Sequence, residues 1–240
     1  MTIVTYEDAF LKQLAHAMPI EIGAADLRGK RVGLVVVDPV QGFCDFGALS
    51  DPRSMAPMVT AIDSLARRLL DRAGALRVLV FRDAHTPGVP EPPYPPHCER
   101  GTGEELVTPR LRWLADAPAT TVLDKDCING FVGAIGRAGE NRFVDWVQRG
   151  ELDALVVTGD CTDICVLDFV VTTLSARNHG LLGRLGPVVV YTPGVATYDL
   201  GDPVALGLPE LIRHPAAPFH HAALAMMARR GAVLADKVEV

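Results

Sequence analysis

The chain has 240 residues, of which 49% are hydrophobic and 22% are charged, and its formal net charge at pH 7 is −6. A chain of this length and composition can bury an ordinary core, which excludes disordered and fibrous proteins. Because acidic and basic residues are interspersed, the sequence has no basic stripe that would bind nucleic acid or an anionic membrane, and we expect neither as a partner.

The amino-terminal segment predicts a helix and not a targeting sequence. Residues 1–10 carry acidic side chains and lack the apolar run of a secretory signal. Residues 6–18 have helical spacing, which we place in a helical extension over residues 1–30. The longest apolar runs of the chain have about eight residues, too few to span a bilayer. Five cysteines without disulfide spacing suggest a reducing cytoplasm.

From residue 31 onward, short β-branched runs alternate with segments of helical spacing. Their continuous apolar character is typical of parallel strands covered on both faces. We predict strands over residues 31–38, 76–83, 120–125, 153–160 and 186–193. We predict helices over residues 55–73, 141–150, 162–180 and 220–231. This alternation predicts a three-layer α/β/α fold with a mainly parallel central sheet, in a single domain over residues 1–240.

Reactive side chains fall at the ends of these strands. Asp38, Asp83 and Lys125 each end a predicted strand, and Cys161 and Cys165 follow a fourth. Ligands of open parallel sheets bind outside the carboxyl ends of the strands. Any one of these residues could simply be a solvated or buried side chain at a strand end. Together, however, they bring acid, base and thiol to one edge.

The two cysteines allow several interpretations: a metal pair, a disulfide, core packing, or a nucleophile with a neighbour. A C-x3-C pair alone lacks the further ligands of a structural zinc site. A nucleophilic thiol must ionise, and a helix N-terminus stabilises the thiolate. With Thr162 or Asp163 as the helix cap, Cys165 lies in the first turn. Packing at a helix–sheet contact is the alternative for Cys165.

Asp38 and Lys125 suit the ionisation of such a thiol. The carboxylate of Asp38 can take the thiol proton, and the ammonium of Lys125 can hold both anions in place. We therefore predict a depressed pKa for Cys165, caused by the helix N-terminus and Lys125 and opposed in part by Asp38.

A proline-rich loop at residues 86–97 is the longest irregular stretch, and such loops are often functional. Asp83 and His85 stand at D-x-H spacing, with His97 twelve residues after His85. One carboxylate and two imidazoles suit zinc, manganese or iron. Because the spacing fits no short zinc motif, polar loop residues without a metal are the alternative.

The remaining histidines and cysteines match no reactive spacing. We expect surface or helix-packing positions for the histidines, which are His16, His179, His214, His220 and His221. We expect structural roles for Cys44, Cys98 and Cys127, although the last two adjoin motifs that could bring them near a pocket.

Six motifs follow one another from about residue 31 onward. They are VVVDPVQGF, FRDAHTPG, PYPPHCERGTGEELV, KDCINGFVGAIG, FVDWV and VVTGDCTDICVLDFVVTTLSARNHG. Together they resemble the cysteine hydrolases of the isochorismatase-like superfamily, and more narrowly the plant-type nicotinamidases. The resemblance implies the isochorismatase-like hydrolase fold. It also implies an enzyme of NAD salvage that hydrolyses nicotinamide to nicotinate and ammonia through a cysteine thioester.

The resemblance also implies roles for single residues. Its catalytic triad maps onto Asp38, Lys125 and Cys165. It places a cis peptide bond between Asp160 and Cys161, with the backbone amides of Cys161 and Cys165 as the oxyanion hole. The cysteines would then have different roles, Cys165 as the nucleophile and Cys161 as a backbone donor.

Substrate-binding and metal-binding positions are implied as well. Phe43 and Tyr94 match the residues that pack on the substrate ring, and Phe131 is a looser match, with ordinary packing as the alternative for each. The resemblance implies that the metal is a divalent ion, with zinc preferred over manganese or iron. The positions that match its ligands are Asp83, His85 and His97, with Glu91 as a candidate fourth ligand where many bacterial members have a further histidine.

Rival functions differ in class. Another amidohydrolase of the superfamily, acting on a carbamoyl or maleamate-type amide, is opposed by the metal-binding residues, because the ion serves to hold a pyridine ring. An isochorismatase lacks the nucleophilic cysteine, and a non-catalytic binding module would not need all three triad residues. Relatives of this fold often self-associate, and residues 220–231 could offer an apolar face, so we expect a homo-oligomer.

Overall fold

A parallel sheet forms the centre of the computed structural model, which describes residues 6–72 and 76–240. Within these ranges the sheet has seven strands, in the order β1-β7-β6-β5-β2-β3-β4, and every neighbouring pair is parallel. The strands are β1 (Gly23–Asp26), β2 (Val32–Val37), β3 (Arg77–Asp83), β4 (Thr120–Lys125), β5 (Ala154–Gly159), β6 (Val188–Val195) and β7 (Val233–Glu239). The parallel α/β architecture expected from the sequence is confirmed.

Helices cover both faces of this sheet. They are α1 (Tyr6–Ala17), α2 (Gln41–Cys44), α3 (Pro52–Arg72), α4 (Arg112–Ala115), α5 (Gly130–Gly133), α6 (Arg142–Arg149), α7 (Cys165–Asn178) and α8 (Ala216–Ala228). Short 3-10 turns occupy Pro109–Leu111, Val204–Leu206 and Glu210–Ile212. Alternate side chains of β2 enter two hydrophobic clusters, because successive side chains of a strand point to opposite faces.

All five predicted strands are present, with ends shifted by no more than two residues. The four predicted helices correspond to α3, α6, α7 and α8, although residue 73 of the first lies outside the described residues. The sequence analysis did not predict β1 and β7. β1 has only four residues, and β7 carries exposed Asp236 and Lys237, so neither has the continuous apolar run of a central strand.

The strand order brings the predicted reactive residues to one edge. β5, β2, β3 and β4 are neighbours in the sheet. Asp83 and Lys125 are the last residues of β3 and β4 and face each other in register. Asp38 directly follows β2, and the segment leading to Cys161 and Cys165 follows β5. These side chains therefore leave adjacent strands at their carboxyl ends, where ligands of such sheets bind.

The amino-terminal segment contributes a strand as well as the predicted helix. α1 begins at Tyr6, and residues 1–5 lie outside the described part of the chain. Gly23–Asp26 then pairs with β7, so the second half of the predicted extension belongs to the central sheet. Across the described ranges, none of the helices has the length and apolar character needed to cross a membrane.

Candidate active site

Lys125 stands at the centre of a buried cluster of charged and nucleophilic groups. Its Nζ lies 2.8 Å from Oδ2 of Asp38 and 2.9 Å from Oδ1 of Asp83. The same Nζ donates to the carbonyl of Cys127 at 3.0 Å and lies 3.6 Å from Sγ of Cys165. The side chains of Lys125 and Asp38 are 0% exposed. The structure thus brings together the three residues predicted as a triad and adds Asp83 as a second anion beside the lysine.

Opposing charges keep this buried lysine protonated. Burial would lower the pKa of Lys125, but Asp38 and Asp83 outweigh it and raise that pKa well above its usual value. Burial would likewise raise the pKa of Asp83, but Lys125 and two neighbouring histidines hold it below its usual range. Lys125 and Asp83 are therefore both charged and form a buried ion pair.

Asp38 is the acid of this cluster that is placed to exchange a proton. Burial and the nearby Asp83 raise its pKa to about 7, although Lys125 acts in the opposite direction. Nζ of Lys125 lies 2.8 Å from Oδ2 of this carboxylate, whereas Oδ1 has no hydrogen-bond partner among the described residues. A buried carboxylate with one oxygen open to a proton donor and a pKa near neutrality is suited to act as a general base.

Cys165 lies in the first turn of α7, as the sequence predicted, but it is the first residue of the helix and the predicted helix cap is wrong. Ile164 occupies the cap position, and no side chain there bonds the helix. The oxygens of Thr162 and Asp163 instead lie within hydrogen-bond distance of groups outside the helix: His220 for Thr162, and Thr197 and His214 for Asp163.

The predicted depression of the thiol pKa is also wrong. Burial raises the pKa of Cys165 well above its usual value, and Lys125 does not compensate because Asp38 and Asp83 add to the rise. The raised pKa keeps Cys165 as a protonated thiol beside the carboxylate of Asp38, and not as a preformed thiolate.

Two backbone amides are free near this thiol. The Asp160–Cys161 peptide bond is cis, as the resemblance implied. Within residues 6–72 and 76–240, the amides of Cys161 and Cys165 donate to no acceptor. Both residues line the same pocket. An oxygen that develops negative charge in this pocket would thus have two unused donors available.

The carboxylate of Asp83 also faces two histidines. Its Oδ2 lies 3.1 Å from Nε2 of His85 and 3.3 Å from Nε2 of His97. The potential ligand atoms of the three residues all lie within 4.8 Å of one another, and all three residues are buried. His97 has Nδ1 2.8 Å from the carbonyl oxygen of Pro95, which leaves Nε2 free to coordinate. The geometry and the donor set fit a divalent metal ion.

Glu91 lies beside this group, slightly farther away. Its Oε2 is 3.6 Å from Nε2 of His85 and 3.8 Å from Nε2 of His97, and its side chain is 22% exposed. A modest movement of this loop side chain would bring a second carboxylate oxygen to an ion held by the other three residues.

A pocket connects Cys165 with the candidate metal-binding group. It is lined by Phe43, Leu49, Asp83, Glu91, Tyr94, His97, Lys125, Ile128, Cys161, Ile164, Cys165 and Tyr198. Phe43 and Tyr94 were predicted here, but the structure does not bring Phe131 into the pocket: its ring packs 5.5 Å from that of Phe143. The sequence analysis did not predict four of the lining residues, which are Leu49, Ile128, Ile164 and Tyr198. Tyr198 follows the carboxyl end of β6, and this position beyond a strand end could have indicated that Tyr198 lies at the site.

The structure also places residues that the sequence analysis left outside the site. His214 is only 6% exposed and its ring lies 4.8 Å from that of Phe219 on α8, in line with helix packing, but the sequence analysis did not predict its pairing with Asp163. Cys44 and Cys98 are buried in hydrophobic clusters, in line with structural roles. Cys127 adjoins the site through its carbonyl, as its neighbouring motif suggested.

Comparisons with known proteins place the chain in a family. Residues 32–238 match the isochorismatase domain. The chain is 46% identical over 216 residues to Nicotinamidase 1 of Arabidopsis thaliana, with 88% of each chain covered.

Solved structures support the same fold at lower identity. A nicotinamidase from Bacillus subtilis superposes with a TM-score of 0.63 at 24% identity, covering 85% of this chain and 99% of that one. A pyrazinamidase of Pyrococcus horikoshii in complex with zinc gives a TM-score of 0.60 at 18% identity, covering 85% and 98%. By its domain match and its close relative, the chain belongs to the isochorismatase domain family.

Proposed function

We propose that this protein hydrolyses nicotinamide to nicotinate and ammonia. The observation that carries the proposal is one pocket lined by Cys165, Lys125 and two residues of the metal-binding group, with Asp38 buried against Lys125, in a chain that is 46% identical to a plant nicotinamidase. We further propose that residues 1–240 act as a single domain, because β1 of the amino-terminal segment is part of the central sheet.

The first half of the reaction acylates the thiol. Asp38 takes the proton of Cys165 as Sγ attacks the amide carbon, and Lys125 stabilises the developing anions. The carbonyl oxygen accepts hydrogen bonds from the two free backbone amides of Cys161 and Cys165. Asp38 then gives its proton to the amide nitrogen, the C–N bond breaks, and ammonia leaves a thioester on Cys165.

The second half regenerates the thiol. Asp38 deprotonates a water molecule, whose oxygen attacks the thioester carbon while the same amides hold the oxyanion. The C–S bond breaks, the proton held by Asp38 returns to Cys165, and nicotinic acid leaves and gives its carboxyl proton to the solvent to become nicotinate. Because Asp38 takes the thiol proton as Sγ attacks, the mechanism needs no preformed thiolate.

We propose that Asp83, His85 and His97 hold a divalent ion, with Glu91 as a fourth ligand and zinc as the preferred metal over manganese or iron. One carboxylate and two imidazoles are a donor set suited to zinc. When bound, the ion supplies a Lewis-acid position for the pyridine nitrogen, which orients the ring while the amide reaches Cys165. Phe43 and Tyr94 then pack on the ring from the pocket walls.

Ammonia release from nicotinamide, with nicotinate identified as the other product, tests the proposed function directly. An N-carbamoyl amide and maleamate should be compared under the same conditions. Preferential turnover of either one would favour the related amidohydrolases, and binding without any turnover would favour a non-catalytic module.

Metal removal should separate substrate orientation from the thiol chemistry. We expect chelation to weaken nicotinamide binding more than it disturbs the triad, and benzamide, which lacks the ring nitrogen, to be a poor substrate with or without metal. His85→Ala and His97→Ala should behave like the chelated protein. The measurement is the steady-state kinetics of chelated and metal-restored samples on both amides. Equal use of the two amides by the metal-loaded protein would contradict the assignment, as would full activity of the metal-free histidine variants.

We also propose a homo-oligomer in a reducing cytoplasm. All five cysteines are free, which fits a reducing compartment.

The apolar face of α8 that suggested self-association is buried within the chain at Ala223, Leu224 and Met227. Exposed Leu206 and Leu211 offer a better candidate interface. Light scattering during size-exclusion chromatography would measure the subunit number.

A further inference from the structure

The turn between the cis peptide bond and Cys165 is held by a polar network that the reaction does not itself use. Asp163 lies in this turn and accepts a hydrogen bond from Oγ1 of Thr197 at 2.6 Å. Its other oxygen lies 2.8 Å from Nε2 of His214. Two segments distant in sequence therefore converge on one carboxylate next to the proposed oxyanion hole.

The contacts of His214 determine its protonation state. Its Nδ1 lies 2.7 Å from the carbonyl oxygen of Tyr198, while its Nε2 faces the carboxylate of Asp163. A carbonyl and a carboxylate only accept, so both ring nitrogens must carry hydrogen and the ring is a cation. Burial lowers the pKa of His214, but Asp163 outweighs it and the net shift is upward. His214 and Thr197 in turn hold the pKa of Asp163 below its usual value, although burial opposes them.

The same cation supports a wall of the pocket. The rings of His214 and Tyr198 stack with centroids 4.2 Å apart and an interplanar angle of 27°. Tyr198 lines the pocket together with Cys161 and Cys165. In addition, the amide of Thr162 donates to the carbonyl of Ala196 at 2.8 Å, which ties the turn to the segment that leads to Tyr198.

We propose that His214 is a positioning residue that fixes the oxyanion-hole turn through Asp163 and the adjacent pocket wall through Tyr198. The proposal deepens the proposed function and rests on its oxyanion step. Loss of the cation would leave the carboxylate of Asp163 buried without its charged partner, so the turn would have to move toward solvent or another donor. Because a displacement of about 1 Å costs about 10²-fold in rate, the amides of Cys161 and Cys165 would lose effectiveness without being removed.

The test compares His214→Gln with the wild type and with a matched histidine control. His221→Gln serves as the control, because His221 lies on α8 and contacts the carbonyl of Met18 at 2.9 Å, outside the network around Asp163. The two probes are pyridine-3-carbaldehyde and nicotinate. Cys165 adds across the aldehyde carbonyl, sulfur to carbon and the thiol proton to oxygen, so the adduct places a tetrahedral oxygen at the amides. Nicotinate binds the pocket without forming this adduct.

For His214→Gln we expect kcat to fall about 10- to 100-fold with little change in KM. Aldehyde affinity should fall by a similar factor while nicotinate affinity stays within about threefold, and His221→Gln should match the wild type. Unchanged kcat and aldehyde affinity would overturn the proposal. Equal losses for aldehyde and nicotinate would also overturn it, because they would indicate a general defect of the pocket.

A second variant covers the case in which His214→Gln does not fold. Thr197→Val removes the other side-chain donor to Asp163 and should also lower aldehyde affinity, by a smaller factor than His214→Gln. An unchanged aldehyde affinity of Thr197→Val would overturn the proposal.

Wild-type protein that binds the aldehyde but releases no ammonia from nicotinamide would refute the proposed function alone. The comparison of aldehyde affinities would still test His214.

Discussion

Replacing Cys165 with alanine is expected to abolish amide hydrolysis while the protein stays folded and still binds the amide. The expected loss is at least ~10³-fold, because among the described residues lining the pocket the only other thiol belongs to Cys161. The substitution removes one sulfur atom at the start of α7 and leaves Lys125 paired with Asp38 and Asp83. Steady-state ammonia release, with thermal unfolding as the check on folding, measures the effect.

Cys161→Ala is the matched control, since both cysteines are buried and line the same pocket. In the proposed mechanism only the backbone of Cys161 takes part, and alanine retains that backbone amide. Its effect should therefore be far milder. A dead Cys161→Ala variant beside an active Cys165→Ala variant would reverse the assignment of the nucleophile.

The central part of the fold could be predicted because its strands are buried on both faces. β2 and β5 are buried at every position, so burial imposes a continuous apolar run that is visible in the sequence. At the edge, β1 and β7 pair with each other through short or partly charged segments. Such segments carry no distinctive local pattern, and their pairing depends on residues more than 200 positions apart in the chain.

In the candidate site, too, residues marked by a local sequence pattern could be predicted, and contacts between residues distant in the sequence could not. Asp38, Asp83 and Lys125 could be placed because each stands at a strand end, and parallel strands bring their ends to one edge. The pairing of Asp163 with His214 joins a turn to a residue 51 positions away, and no periodic pattern marks it. The same contact explains the wrong helix cap, since Asp163 has a stronger charged partner than the amides of α7.

The pKa of Cys165 could not be predicted from neighbouring charges alone. The sequence indicates the cation and the helix start, both of which favour the thiolate. It does not indicate how deeply the thiol is buried, nor that Asp83 adds a second anion at Lys125. Burial and the two carboxylates together outweigh the ammonium, which supports the proposed role of Asp38 in the initial proton transfer.

Asp38→Asn is expected to lower kcat/KM by about 10³-fold, because the amide cannot take the thiol proton and general bases contribute about 10²- to 10⁴-fold. The pH profile gives an independent signature. Burial raises the pKa of Asp38 to about 7, so the base is protonated and inactive at lower pH. Wild-type activity should accordingly rise as pH increases through about 7, and this rise should be absent from the residual activity of Asp38→Asn.

Asp124→Asn provides the matched control for this variant. Asp124 directly precedes Lys125, but its carboxylate accepts from Arg82 at 2.8 Å and is partly exposed, so it takes no part in the cluster. Its removal should leave both the rate and the pH profile close to those of the wild type. If Asp38→Asn keeps more than about a tenth of wild-type kcat/KM, or keeps the rise near pH 7, another group must supply the base. The proton transfer assigned to Asp38 would then be wrong, even with Cys165 as the nucleophile.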